Sequence, residues 1–266
     1  MIAFALHTWT LDTTPLADAL RIARHTGWDA VELRRIDFAR AAEAGQPEEA
    51  VLELVRRSGL RVACVGARSG WMFAEGDERR ARLGDVADAG RRAAALGCRM
   101  VMSPADTTTG PLVRVAASLR EAGDIAAAHG VRLAIEAGSQ SQQLNTLARV
   151  REVLTAAGHP ACGLLVDSYH LERSGERLRG LEDLRPEEVL YVQFSDVPPA
   201  VQPGQVLDRL PPGHGVVPFR EFFSAIDRLG YRGYASYEAP NPAAWSRPPA
   251  DVAREALEAA RAQASR

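Results

Sequence analysis

The chain has 266 residues, 46% of them hydrophobic and 25% charged, with a formal net charge of −2. That length supplies a sizeable core and suits one large α/β domain. The arginines are spread along helical segments, so the concentrated basic face that a nucleic-acid partner requires is missing.

No apolar run approaches the roughly 20 residues needed to span a bilayer. Met1 leads directly into Ile2-Ala3-Phe4-Ala5-Leu6, without a basic leader region or a long apolar one. Neither a membrane segment nor a signal peptide is expected, and the cytoplasm is the default location. Three widely spaced cysteines, Cys64, Cys98 and Cys162, read as core thiols of a reducing compartment.

Short apolar runs and amphipathic stretches then alternate eight times along the chain. A strand is expected over 2–8, carrying His7, with a helix near 15–26 closed by His25-Thr26-Gly27. Strand 2 spans 30–34 and carries Glu32, and a helix near 47–58 ends at Ser58-Gly59. Strand 3 spans 62–67, followed by Arg68 and Trp71-Met72-Phe73, and then a helix near 78–96. Strand 4 spans 100–104, with a helix near 112–129 ending at His129-Gly130. Strand 5 covers 132–137 with Glu136, and its helix lies near 144–157. Strand 6 covers 163–168 with Asp167, and its helix lies near 176–184. Strand 7 covers 189–195 with Gln193, and a Pro- and Gly-rich interruption from Pro198 to Pro218 precedes a helix near 218–229. Strand 8 covers 234–239 with Glu238, and a last helix lies near 248–264.

Glycine just past a helix is the expected C-terminal cap. Continuous apolar strands alternating with helices argue for a parallel sheet covered on both faces. Eight such units favour a closed (β/α)8 barrel, one domain over 1–266, rather than an open doubly wound sheet. No Gly-x-Gly-x-x-Gly follows the first strand and no P-loop occurs, so nucleotide-binding readings lack their fingerprints.

Strands 5 to 8 each deliver one oxygen-bearing side chain near the C-terminal end: Glu136, Asp167, Gln193 and Glu238. A carboxylate ending a buried strand is costly unless something pairs with it. In a barrel, active sites lie at the C-terminal ends of the strands. Three carboxylates and an amide oxygen there suit one divalent cation, Mg²⁺ or Mn²⁺, better than zinc. The competing reading has each residue capping a helix or pairing with an arginine.

The segments Ile135-Glu136, Val166-Asp167-Ser168-Tyr169-His170, Val192-Gln193-Phe194-Ser195-Asp196 and Tyr237-Glu238 resemble the xylose isomerase-like TIM-barrel superfamily. Gly27-Trp28-Asp29-Ala30-Val31-Glu32-Leu33 is similar to its strand-2 signature, and Pro212-Gly213-His214-Gly215-Val216-Val217-Pro218-Phe219 to its glycine-rich turn after strand 7. The resemblance covers nearly the whole chain. It implies a sugar isomerase or epimerase with metal ligands Glu136, Asp167 and Glu238. The family's histidine ligand is Gln193 here, a change that leaves the charge of the site unaltered and weakens any zinc reading. Glutamine at this position also occurs in 3-dehydroshikimate dehydratases, so a lyase of the dehydroshikimate or inosose dehydratase type is the alternative. A barrel that binds but does not turn over is a third reading. Endonuclease IV shares the fold but needs many histidines, and this chain has six in all.

The implied chemistry acts on a small polyhydroxylated carbonyl substrate. A cation binding the carbonyl and its neighbouring hydroxyl acidifies the adjacent C–H and stabilises the enediolate. Glu136 and Glu238 are the implied acid and base. His170, in the family's Asp-x-x-His motif, is the implied substrate-binding or proton-shuttling group. His7, Glu32, Arg68 and Arg209 are candidate substrate contacts, Arg209 as a fork-like donor to an anion. Asp196 either orients a neighbour or caps the loop that follows it. Trp71, Met72, Phe73 and Trp245 are candidate pocket walls. Barrels of this family often pair, which is compatible with a homodimer.

Overall fold

The computed structural model describes residues 2–200 and 205–265, so positions 201–204 of the Pro- and Gly-rich interruption lie outside the described residues. Eight parallel strands close into a (β/α)8 barrel in sequence order. They are β1 Ala3–His7, β2 Ala30–Leu33, β3 Arg61–Gly66, β4 Met100–Pro104, β5 Arg132–Glu136, β6 Cys162–Asp167, β7 Val189–Phe194 and β8 Tyr234–Tyr237. Between and around them run α1 Leu16–Thr26, α2 Arg35–Glu43, α3 Glu48–Ser58, α4 Gly76–Ala95, α5 Leu112–Ala128, α6 Leu147–Ala157, α7 Ser168–Ser174, α8 Phe219–Arg228, α9 Pro242–Trp245 and α10 Pro249–Ala264. β7 is buried along its whole length, which explains why it reads as a continuous apolar run with one amide in it. No helix among the described residues is long and apolar enough to cross a membrane.

Packing divides the chain into two compact units, Met1–Ala63 with Gln193–Arg266 and Cys64–Val192, with boundaries inside β3 and β7. In the first unit, β1 pairs β2 with His7 beside Glu32, and pairs β8 with Leu6 beside Tyr237. α8 turns Phe219, Phe222, Phe223 and Ile226 inward at helical spacing. Phe4, Phe194 and Phe223 meet there edge to face, with ring centroids 5.5 to 5.8 Å apart. α1 stops where Gly27 takes φ +89°, and its N–H reaches back to the Ala23 and Arg24 carbonyls.

In the second unit, β5 lies between β4 and β6, with Pro104 beside Glu136 and Glu136 beside Leu165. α5 buries Val115, Leu119, Ala122 and Ala126, again at three- and four-residue spacing. Cys64, Cys98 and Cys162 are free thiols. Burial, reinforced by Asp124 and opposed by Arg132, pushes the Cys162 thiol up to about 12, so it stays protonated.

The helix expected over 176–184 is not an α-helix. A 3-10 turn covers Arg177–Leu181, and the α-helix of this connection is α7, which starts directly after Asp167. Leu178, Leu181 and Leu184 recur every three residues, the period of a 3-10 turn rather than an α-helix. α2 and α9 are helices in stretches for which no element was expected.

Candidate functional site

In the second unit, β5 ends on Glu136 and β6 on Asp167, both buried. Asp167 also caps α7, its Oδ1 accepting the Tyr169 N–H at 2.9 Å. The cap brings the first turn of α7 back over the strand ends. His170 Nε2 then lies 3.4 Å from Glu136 Oε1 and 3.8 Å from Asp167 Oδ2. Ligand atoms of Glu136, Asp167 and His170 all lie within 4.8 Å of one another, a grouping able to hold a metal ion.

Hydrogen bonding separates the roles within this group. The Ser139 N–H donates to His170 Nδ1 at 3.1 Å, with Ser139 Oγ 3.0 Å from the same atom. A neutral imidazole that accepts at Nδ1 carries its proton at Nε2. His170 therefore turns its Nε2–H toward Glu136 Oε1.

The first unit holds a second buried group at and just past its strand ends. His7 Nδ1 accepts the Trp9 N–H at 3.1 Å, which leaves the proton on Nε2. Nε2 lies 3.4 Å from Glu238 Oε1 and 3.7 Å from Glu32 Oε1. Burial, with Arg34 and Arg209 adding to it, holds the His7 pKa well below the usual histidine value, so the ring is neutral. Gln193 Nε2 donates to Glu32 Oε1 at 2.9 Å. Gln193 Oε1 is buried and has no hydrogen-bond partner among the described residues.

Arg209 is buried rather than on the surface. Its Nη1 donates to Glu238 Oε2 at 2.9 Å and to the Glu238 carbonyl at 3.2 Å. The fork-like donor therefore has its carboxylate within this chain. The arginine-pairing reading holds for one oxygen of Glu238 and the helix-cap reading for one oxygen of Asp167. The second oxygens lie beside imidazoles, Glu238 Oε1 3.4 Å from His7 Nε2 and Asp167 Oδ2 3.8 Å from His170 Nε2. In the first unit, a buried amide oxygen with no hydrogen-bond partner among the described residues is a donor of the kind that a divalent cation takes.

Glu32 has no exposed surface, whereas Arg68 is exposed. Asp196 caps its loop. Its Oδ1 accepts the N–H groups of Val197 and Val217, and its Oδ2 those of Gly213 and Gly215, all at 2.8 to 2.9 Å. An antiparallel bridge between Asp196 and Leu210 then sets the position of neighbouring Arg209. Trp71, Met72 and Phe73 are buried. Asp106 holds that turn by accepting the N–H groups of Gly70, Met72 and Phe73 at 2.5, 2.8 and 3.1 Å. Trp245 donates from Nε1 to the Trp9 carbonyl at 3.2 Å. Sequence reasoning missed Asp106 and Ser139. An acidic residue two places past β4 was a usable signal for the first, whereas Ser139 acts through its backbone N–H and left none.

The sequence model of a family described as xylose isomerase-like TIM barrel matches residues 20–263. The 3-dehydroshikimate dehydratase of Pseudomonas aeruginosa is 31% identical over 132 residues, 48% of this chain and 20% of that protein. The chain thus spans about a fifth of the length of the dehydratases that it matches. The inosose isomerase of Bacillus velezensis is 22% identical over 245 residues, 88% of this chain and 86% of that protein. A 1.8 Å crystal structure of IOLI protein with a binding zinc atom superposes with a TM-score of 0.89 at 18% identity, over 99% of this chain and 98% of that one. At that identity the superposition speaks for the fold alone.

Proposed function

We propose, from the premise that this chain belongs to the xylose isomerase-like TIM barrel family, that it binds one Mn²⁺ or Mg²⁺ and isomerises or epimerises a small polyhydroxylated carbonyl compound. The observation that carries this reading is the buried Glu136, Asp167 and His170 group, whose ligand atoms lie within 4.8 Å of one another. Glu136, Asp167, Gln193 and Glu238 are the proposed donors. A divalent cation held by them supplies the Lewis acidity that makes a C–H beside a carbonyl removable at neutral pH.

The chain's own groups would then move the proton. Glu238 is the proposed base and Glu136 the proposed acid. Arg209 holds Glu238 by Oε2 and so fixes the rotamer that presents Oε1. His170 is the proposed substrate-binding group beside Glu136, its Nε2 3.4 Å from Glu136 Oε1, where an N–H would hold the carboxyl by a hydrogen bond. His7, Arg68 and Arg209 are the proposed substrate contacts. Glu32, with no exposed surface and an oxygen taken by Gln193, is not among them.

Deuterium wash-in tests the reading. Protein loaded with Mn²⁺ in D2O is expected to exchange the proton beside the carbonyl of a ketose or an inosose, followed by NMR. Glu136→Gln and Glu238→Gln are expected to abolish exchange while keeping the fold, and wild-type-like exchange in both would refute the acid–base assignment.

A second reading is a dehydratase, in which the same proton removal is followed by loss of a β-hydroxyl. The dehydroshikimate dehydratase matches of 31% and 32% identity and the amide at Gln193 favour it. Growth of an aromatic catechol absorbance on incubation with 3-dehydroshikimate would select it over the isomerase.

A further inference from the structure

We propose that Glu32 is a positioning residue that decides which end of the Gln193 amide faces the cation. The inference rests on the metal reading above and concerns a residue that touches neither substrate nor metal in it.

A carboxamide presents oxygen at one end and NH2 at the other in nearly the same shape. Only the oxygen can donate to a cation, so a glutamine ligand works in one of its two orientations. A carboxylate accepts hydrogen bonds and donates none. Glu32 Oε1 takes the Gln193 Nε2 at 2.9 Å, a bond between two residues with no exposed surface. That bond turns Gln193 Oε1 the other way and leaves it buried without a hydrogen-bond partner among the described residues. Buried carbonyl oxygens are ordinarily satisfied, so the lock holds the amide in an arrangement that a ligand completes.

The neighbouring side chains keep Glu32 in place for this role. Glu32 sits beside His7 in the β1–β2 register, and the His7 Nε2 that carries the proton lies 3.7 Å from the same Oε1. His7 is itself pinned through Nδ1 by the Trp9 N–H. The Gln193 amide and the His7 ring thus both turn N–H toward this side of Glu32, with the His7 Nε2 also 3.4 Å from Glu238 Oε1.

The test is calorimetric titration of Mn²⁺ into metal-stripped protein, with no turnover required. Glu32→Gln replaces an obligatory acceptor by a group that also donates, which frees the Gln193 amide to reverse. Mn²⁺ affinity is expected to fall by about 10- to 100-fold, the usual loss when the partner of a metal ligand is removed. Gln193→Glu supplies a side chain with oxygen at both ends, which needs no orienting, but sets it against the Glu32 carboxylate. In that background Glu32→Gln is expected to tighten Mn²⁺ binding, because Gln at 32 donates N–H to the new carboxylate. The effect of one substitution therefore changes sign with the residue at 193. The same loss in both backgrounds would mean that Glu32 acts by packing alone, and would overturn the proposal. Should Glu32→Gln by itself fail to fold, the comparison of Gln193→Glu with the double variant still decides it. Wild-type protein that takes up no Mn²⁺ sinks the metal reading together with this inference. Wild-type uptake that Glu32→Gln leaves unchanged sinks this inference alone.

Discussion

Asp196→Asn removes one negative charge from a residue with no exposed surface and no proposed contact with substrate. Each carboxylate oxygen accepts two backbone N–H groups, Val197 and Val217 on Oδ1 and Gly213 and Gly215 on Oδ2. Whichever oxygen becomes an amide NH2, two of the four bonds become donor against donor. At about 1.5 to 3 kcal/mol for each bond to a charged group, the turn loses about 3 to 6 kcal/mol. The loss is local, because the segment can open without unfolding the barrel. It should appear as amide exchange about 10² to 10⁴ times faster at Gly213, Gly215 and Val217, at 1.36 kcal/mol per decade. Melting is expected to shift less, since global unfolding includes this opening only in part. Leu210 pairs with the Asp196 backbone, so Arg209 should lose its seat on Glu238 and turnover should fall with it. Native exchange rates at those three amides would refute the idea that one carboxylate organises this turn.

Gly215→Ala should phenocopy that variant, because its Cβ would lie 2.1 Å from the Val197 carbonyl and 2.6 Å from Asp196 Oδ1; unchanged exchange and melting would argue against it. Adding Mn²⁺ at about 100 times its Kd should stabilise the fold by about 2.7 kcal/mol, read as a rise in Tm that EDTA reverses. Burial raises the Glu188 carboxyl pKa, but the Arg151 side chain and the Arg185 backbone N–H outweigh it, and the net shift is downward from 4.5. A lowered carboxyl stabilises the fold above its unfolded value and loses that contribution as pH falls through the folded one. Glu188→Gln should therefore cost about 1 kcal/mol at pH 7, as partly exposed pairs do, and the gap from wild type should close below 4.5. Phe194→Ala, at the centre of four aromatic rings, should cost about 3 to 5 kcal/mol in denaturant unfolding.

The eight strands were legible because barrel strands buried on both faces must be apolar along their length, and each ends where its run ends. Gly27, Gly59 and Gly158 marked helix ends for an equally local reason, taking positive φ at the caps of α1, α3 and α6. Glu136, Asp167, Gln193 and Glu238 stood out because a polar group at the end of such a run is anomalous wherever the rest of the chain goes. α7 did not stand out, since its cap is Asp167 itself and the leucines that follow keep a three-residue spacing. The partners of these groups were hidden altogether. Gln193 meets Glu32 across 161 residues, Arg209 closes on Glu238 from a loop, and Ser139 sets the His170 tautomer with a backbone N–H. Periodicity reports which way a side chain faces, a property of a few neighbouring residues. Which donor meets which acceptor depends on strand register and on the course of the loops, and these exist only once the chain has folded.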